Sequence, residues 1–341
     1  MKILKILKSF ARISFLLCLV ASIFVAFHWR GPVHVKDGRF NRSRNAIWLQ
    51  HGWLGDDSWF VRANRLEKKS HFRSAKSCQK LAELLHRNAI QDVFPHLCPC
   101  SPQGHIQAVD DEQTEGFLKI FKDFRVIPWV GGVLDKHAFP DKTQWRKNFV
   151  ESCLRLLDRH QTLAGIQINV EPCPSTTRGF LLLLEELRVA MPYGKIISVA
   201  AYPPPTPFHP HPDVHWEENF FREVASRSDQ LAVMMYDTAL ENDGFYRQLM
   251  AKWTREVLTW SGSACEILLG VAVYDDKGVG YHHAEVENLE NGLAGIQAAL
   301  LEFEPLPINY QGVAIYCEWE MDEAEWAYWG KDFLGHSVVS H

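Results

Sequence analysis

Residues 163–172 read Leu163-Ala164-Gly165-Ile166-Gln167-Ile168-Asn169-Val170-Glu171-Pro172. Apolar and polar residues alternate here, and in a strand successive side chains point to opposite faces. Ile166, Ile168 and Val170 therefore share one face, and Gln167, Asn169 and Glu171 share the other. Pro172 ends the pairing, which leaves Glu171 at the carboxyl end of the strand, where parallel α/β architectures place their chemistry. A water-facing edge strand would show the same alternation. The surrounding chain decides between the two.

Outward from this run one rhythm recurs eight times, a short apolar strand followed by an amphipathic helical segment. The strands read as 46–51, 91–97, 125–131, 164–171, 195–202, 230–237, 267–274 and 311–317. Helical stretches read as 74–88, 111–122, 143–159, 176–190, 217–227, 244–261, 288–303 and 321–333. Alternating β and α elements predict a parallel sheet, and eight units over 45–341 predict an α/β fold of the (β/α)8 TIM-barrel class. A doubly wound open sheet is the alternative, but no glycine-rich phosphate loop follows the first strand. Four strands also taper alike: Ser198-Ala200-Tyr202, Ala232-Met234-Tyr236, Gly270-Ala272-Tyr274 and Gly312-Ala314-Tyr316. Small residues low on one face and a tyrosine at the end are what a filled barrel with a polar mouth requires.

The 341-residue chain carries a net charge of −5 and no long basic block in its body, which gives no support for nucleic acid as a partner. Lys2, Lys5, Lys8 and Arg12 precede an uncharged apolar stretch from Ile13 to Phe27. Residues 1–30 thus read as a signal peptide or an uncleaved signal anchor, with a polar linker over 31–44 and the barrel over 45–341. This implies an extracytoplasmic destination, secreted, periplasmic or anchored facing outward. Of eight cysteines only Cys18 lies in the leader, so an odd seven remain. A Cys98–Cys173 disulfide stays open if export holds; no CxxC pair supports zinc, and inert buried thiols are the simplest reading. The proline-rich insertion 203–215 carries His209, His211 and His215, which read as solvent-facing histidines or as metal ligands.

The strand ends collect Trp129, Asn169, Glu171, Tyr202, Tyr236, Asp237, Tyr274, Tyr316, Glu318 and Trp319. Carboxylates, tyrosines and tryptophans around one mouth suit a carbohydrate. Neither GxSxG nor HExxH is present. A metal-dependent hydrolase using His51, His96 and Asp237 lacks ligand spacing within any one element.

These motifs resemble those of family 18 chitinases. The family's DGxDxDxE strand aligns with Ala164–Glu171, its MxYD with Met234-Met235-Tyr236-Asp237, its GxPxY with Gly270–Tyr274 and its GxMxW with Gly312–Tyr316. The three aspartates of the first motif are Ala164, Gln167 and Asn169 here, and the Asn-x-Glu pair is similar to that of family 85 endo-β-N-acetylglucosaminidases. The resemblance implies a glycosidase acting on an N-acetylated glycan by a substrate-assisted route without cofactor or metal. Glu171 would be general acid/base, Asn169 would orient the 2-acetamido group, Tyr236 would bind the intermediate and Asp237 would tune Glu171. Gln167, Trp129, Tyr202, Tyr274, Tyr316, Glu318 and Trp319 would bind sugar. Two further readings remain: a two-carboxylate glycosidase pairing Glu171 with Asp237, Asp275 or Glu318, and a barrel that binds sugar without cutting it. With Asn169 and Gln167 neutral, Glu171 can keep a proton near neutrality only through burial or repulsion from Asp237.

Overall fold

The computed structural model describes residues 12–22, 32–207, 211–276 and 278–336. Nine strands form one all-parallel sheet: β1 (Asn45–Leu49), β2 (Ile90–Pro95), β3 (Arg125–Val126), β4 (Trp129–Val133), β5 (Gly165–Glu171), β6 (Ile196–Ala201), β7 (Gln230–Val233), β8 (Glu266–Ala272) and β9 (Tyr310–Tyr316). Their order is β3-β2-β1-β9-β8-β7-β6-β5-β4. The two ends of that order are pieces of a single run, 125–133, interrupted at Ile127 and Pro128. β3 pairs with β2, β4 pairs with β5, and a bridge from His96 to Trp129 joins the two sides. The sheet therefore curls round into the barrel-like ring that the eightfold rhythm predicts. Pro128 has no amide hydrogen to donate, which accounts for the break.

Two apolar layers follow from the alternation. Outward faces, such as Ile47, Ile166, Ile168, Val199, Val271 and Ile315, pack under the helices, against Leu183, Leu184, Val224, Val257 and Ile296. A separate cluster fills the ring, with Ala46, Trp48, Phe94, Ala232, Ala272 and Ala314 among its members and Tyr236 and Tyr316 at its edge. The small residues of the tapering strands are needed where backbones crowd. A Cβ on Gly270 would lie 2.2 Å from the Val233 carbonyl oxygen.

The lower part of the ring is polar and fully paired. Gln167 Nε2 donates to Ser198 Oγ (3.2 Å), Ser198 Oγ to Gln230 Oε1 (2.8 Å), and Gln230 Nε2 to Asp92 Oδ2 (2.7 Å). Arg125 grips Asp92 through two bonds of 2.6 Å and reaches Glu266 at 2.9 Å, and Arg44 closes the chain at Glu266 (3.0 Å). Burial lifts the Asp92 carboxyl above the ordinary carboxylate range, and Arg125 opposes that shift.

The seventh strand is shorter than its sequence pattern, stopping at Val233, so Met234, Met235 and Tyr236 continue as irregular chain. The 31–44 stretch is no free linker where it is described. Val35 exchanges two hydrogen bonds with Gln297, and Phe40 is buried with its carbonyl accepting from the Tyr310 hydroxyl. Residues 12–22 are helical and exposed, and no helix among the described residues is long and apolar enough to cross a membrane. The remainder of the 1–30 signal or anchor lies outside the described residues.

Removing Arg125 would strand the wholly buried Asp92 without its counter-charge. Arg125→Met is expected to cost about 3 kcal/mol in urea unfolding, with Asp92→Asn/Arg125→Met recovering part of it. A loss below about 1 kcal/mol would show that this column does not hold the ring together.

Candidate active site

A cleft of about 670 Å³ opens at the carboxyl ends of the strands. Trp129, Glu171, Tyr202, Tyr236, Asp237, Tyr274, Tyr316 and Trp319 line it, and residues of the 203–215 insertion, His211, Asp213 and His215 among them, form one wall. Most of the strand-end residues singled out in the sequence thus converge. Three do not line the cleft: Asn169, buried below Glu171, Gln167 and Glu318. Gln167 is wholly buried beneath it, with Trp48 Nε1 donating to its Oε1 (2.8 Å) and its Nε2 committed to Ser198. Glu318 turns toward β1, where Gln50 N and Trp53 Nε1 lie 3.4 Å from its Oε2.

Glu171 sits half-buried at the end of β5. Removal from water raises its pKa from the ordinary 4.5 to about 7; a hydrogen bond from the Asn169 side chain opposes this and the charge of Asp237 adds to it. Burial therefore does what neighbouring aspartates cannot do on a strand whose other inward groups are amides. Asn169, two residues below on the same face, is buried, and its Oδ1 has no hydrogen-bond partner. Trp129, on the adjacent strand, is buried with an unpartnered Nε1. A native interior rarely leaves such atoms unsatisfied. One acceptor and one donor beside a protonatable carboxyl is a set that a polar ligand would complete.

The tyrosines make a ring-on-ring wall. Tyr236 stacks on Tyr316 at 5.5 Å, and Tyr274 meets Tyr316 edge-on at 5.3 Å. Burial holds the hydroxyls of Tyr202, Tyr236, Tyr274 and Tyr316 far above neutrality, so each is a hydrogen-bond donor at any working pH. Asp237 follows β7 with a φ of 62°, a left-handed conformation that Asp tolerates better than most residues. Its Oδ1 receives the Tyr274 hydroxyl and lies 3.2 Å from His282 Nδ1.

The metal readings find no common centre. His51 and His96 stack on each other at 3.5 Å, with burial lowering both their pKa values, and His51 Nε2 donates to the Cys98 carbonyl (2.8 Å). His209 lies outside the described residues, while His211 and His215 belong to the cleft wall. The one group among the described residues with ligand-like spacing is Asp237, His282 and Glu287, within 4.8 Å of one another. Its carboxylates are already engaged: Glu287 accepts from Thr238 N through both oxygens (3.2 and 3.0 Å), and Asp237 Oδ1 takes the Tyr274 hydroxyl, while His282 Nδ1 has no hydrogen-bond partner. Such a set suits a proton better than an ion. The cysteines are all free, and those beyond the leader are buried. Cys98 and Cys173 form no disulfide, in keeping with inert thiols.

His282 and Glu287 were not singled out by sequence reasoning. They lie past Tyr274 in an irregular connection before the helix Leu289–Leu300, with no strand or helix period to aim them. The adjacent histidines 282 and 283 are the only signal the sequence offers there.

No family model and no curated protein matches the chain. Solved structures do. A class V chitinase from Pseudomonas fluorescens Pf-5 superposes with a TM-score of 0.53 at 12% identity, covering 85% of this chain and 99% of that one. A chitinase from Chromobacterium violaceum gives 0.52 at 14%, covering 87% and 99%. The Bacillus cereus spore cortex-lytic enzyme SleL gives 0.51 at 10%, covering 85% and 74%. The chain shares the barrel fold of these chitinases and of SleL. At these identities the likeness is one of fold.

Because the folded protein raises the Glu171 pKa, its protonated carboxyl is the form burial favours. Relative to the unfolded chain, that advantage is full below pH 4.5 and is lost as the pH rises through about 7. Glu171→Gln should therefore match wild type at pH 4 and exceed it at pH 8 by roughly 1–3 kcal/mol in denaturant unfolding. An equal offset at both pH values would mean that Glu171 is not desolvated.

Proposed function

We propose that this protein is a glycoside hydrolase acting on a glycan containing β-linked N-acetylglucosamine, by a substrate-assisted route. The observation that carries the reading is Glu171, a carboxyl poised near neutrality, beside Asn169 with its unpaired Oδ1 on one strand face. Glu171 protonates the glycosidic oxygen as the 2-acetamido carbonyl oxygen attacks the anomeric carbon and the leaving sugar departs. Water then opens the oxazolinium-like intermediate while the Glu171 carboxylate takes its proton. Asn169 Oδ1 accepts from the acetamide N–H, and the Tyr236 hydroxyl hydrogen-bonds the developing intermediate. Trp129 Nε1 donates to a sugar oxygen, and Trp319 offers a stacking face. The chitinases and the spore cortex-lytic enzyme of like fold support an N-acetylated substrate by analogy. The basic and then apolar leader supports a place outside the cytoplasm.

A sugar-binding barrel without turnover is the second reading, favoured by the neutral side chains at 164, 167 and 169. Asn169 cannot lend the intermediate a full negative charge, and losing such a preorganised interaction costs on the order of 2–4 kcal/mol of transition-state stabilisation. Of the two-carboxylate pairings, Glu318 and Asp275 do not line the cleft, which leaves Asp237 as the candidate.

Hydrolysis of aryl β-glycosides of N-acetylglucosamine and its short oligomers, from pH 4 to 8, tests this reading. Glu171→Gln should abolish turnover, and Asn169→Ala should cut kcat by about 10²-fold. Binding of the oligomers without turnover in wild type would replace the hydrolase with the sugar-binding barrel.

A further inference from the structure

His282 is almost wholly buried and its ring lies flat against Tyr274, centroids 4.0 Å apart and planes 15° apart. Its Nε2 is 2.9 Å from the Tyr274 carbonyl oxygen. A carbonyl only accepts, so Nε2 carries a proton. Nδ1 faces Asp237 Oδ1 at 3.2 Å and Glu287 Oε2 at 4.0 Å and is aligned on neither. In a neutral ring with Nε2 protonated, Nδ1 would point a lone pair at two carboxylate oxygens in a water-poor interior. Two acceptors facing one another across such a gap need a proton between them.

We propose that His282 is an imidazolium in the working protein, a buried cation between Asp237 and Glu287 that holds Asp237 aimed at the cleft. The inference deepens the glycosidase reading and, for its kinetic arm, rests on it. His282 touches no substrate in this arrangement and is a positioning residue. The groups facing it are Asp237 from the end of β7, Tyr274 from the end of β8, and Glu287 from the segment before the helix Leu289–Leu300. Tyr246, close to both carboxylates, stays neutral with its hydroxyl on the Met235 carbonyl. Burial alone would discharge the ring; the attraction of its Nδ1 side to the carboxylates of Asp237 and Glu287 outweighs it and holds His282 above the ordinary histidine value. Glu287 carries the opposite strain, burial having lifted it to about 7 despite its bonds from Thr238 N. Because Asp237 in turn raises Glu171, the state of one ring nitrogen bears on the acid at the cleft.

Nitrogen-15 NMR of histidine-labelled full-length protein, with the His282 signals assigned by their loss in His282→Gln, reads the proposal directly. At pH 7 both ring nitrogens should carry protons. In Glu287→Gln, the midpoint for losing the second proton should fall by about one pH unit. In parallel, His282→Gln should lower kcat about tenfold, as Asp237 loses the cation that aims it, with KM moving far less than kcat. A bare Nδ1 at pH 7 overturns the proposal, as does an unmoved midpoint in Glu287→Gln. So does one equivalent of a divalent metal that co-purifies with wild type and is lost in His282→Gln. If the chain turns over no glycoside, the ring protonation still decides for or against His282, and only the glycosidase reading fails.

Discussion

The Gln167 amide is the joint on which the interior depends. A ring of parallel strands buries every inward side chain, and a buried polar group without a partner costs about as much as several ordinary contacts return. Gln167 meets that constraint by accepting from Trp48 above and donating to Ser198 below, so it ties the aromatic half of the ring to the polar half. From Ser198 the donations run in one direction to Gln230 and Asp92, and charge enters only at the lower rim with Arg125, Glu266 and Arg44. An aspartate at 167 would break this sequence of donors, since a carboxylate has nothing to give to Ser198. The neutral residue at a position where chitinase-like strands carry an acid is thus a consistent part of this interior.

The same neutrality governs the cleft. With amides at 167 and 169, the electrostatic setting of Glu171 falls to its burial and to Asp237 in the irregular chain after β7. Asp237 is therefore held from two sides, by the Tyr274 hydroxyl and by His282, and its left-handed backbone turns it in behind the tyrosine wall. Charge has moved from the strand that bears the acid to the loops after β7 and β8. A residue in such a loop is positioned by its hydrogen bonds more than by the pleat of a sheet, which explains why Asp237 and His282 share so dense a set of partners.

What could be read from the sequence follows from this division. The strand pattern around Glu171 and the four tyrosine-ended strands were legible because a pleat fixes which way each side chain points, and the structure brings their ends to one mouth. The interruption at Ile127–Pro128 and the short β7 were not, since apolar runs look alike whether or not their backbones pair. Gln167 was expected to touch sugar because alternation places it on the inward face; depth along the strand, which alternation does not carry, seals it beneath the floor. Glu318 shows the converse: a carboxylate at a strand end that turns sideways once the strand has stopped. His282 and Glu287 lay beyond reach because no periodicity operates between β8 and the following helix.

An asparagine at 169 changes what the strand asks of a ligand. A carboxylate there would demand a proton or a cation and would push the Glu171 pKa further up. The amide gives one hydrogen bond to Glu171 and keeps one acceptor unspent. In a site so poor in water, an unspent acceptor is a standing penalty of about 1–3 kcal/mol, returned only when a donor arrives. An acetamide N–H is such a donor, and a sugar hydroxyl is another. On the reading proposed above that donor is the acetamide N–H, next to a Trp129 Nε1 that itself still wants an acceptor.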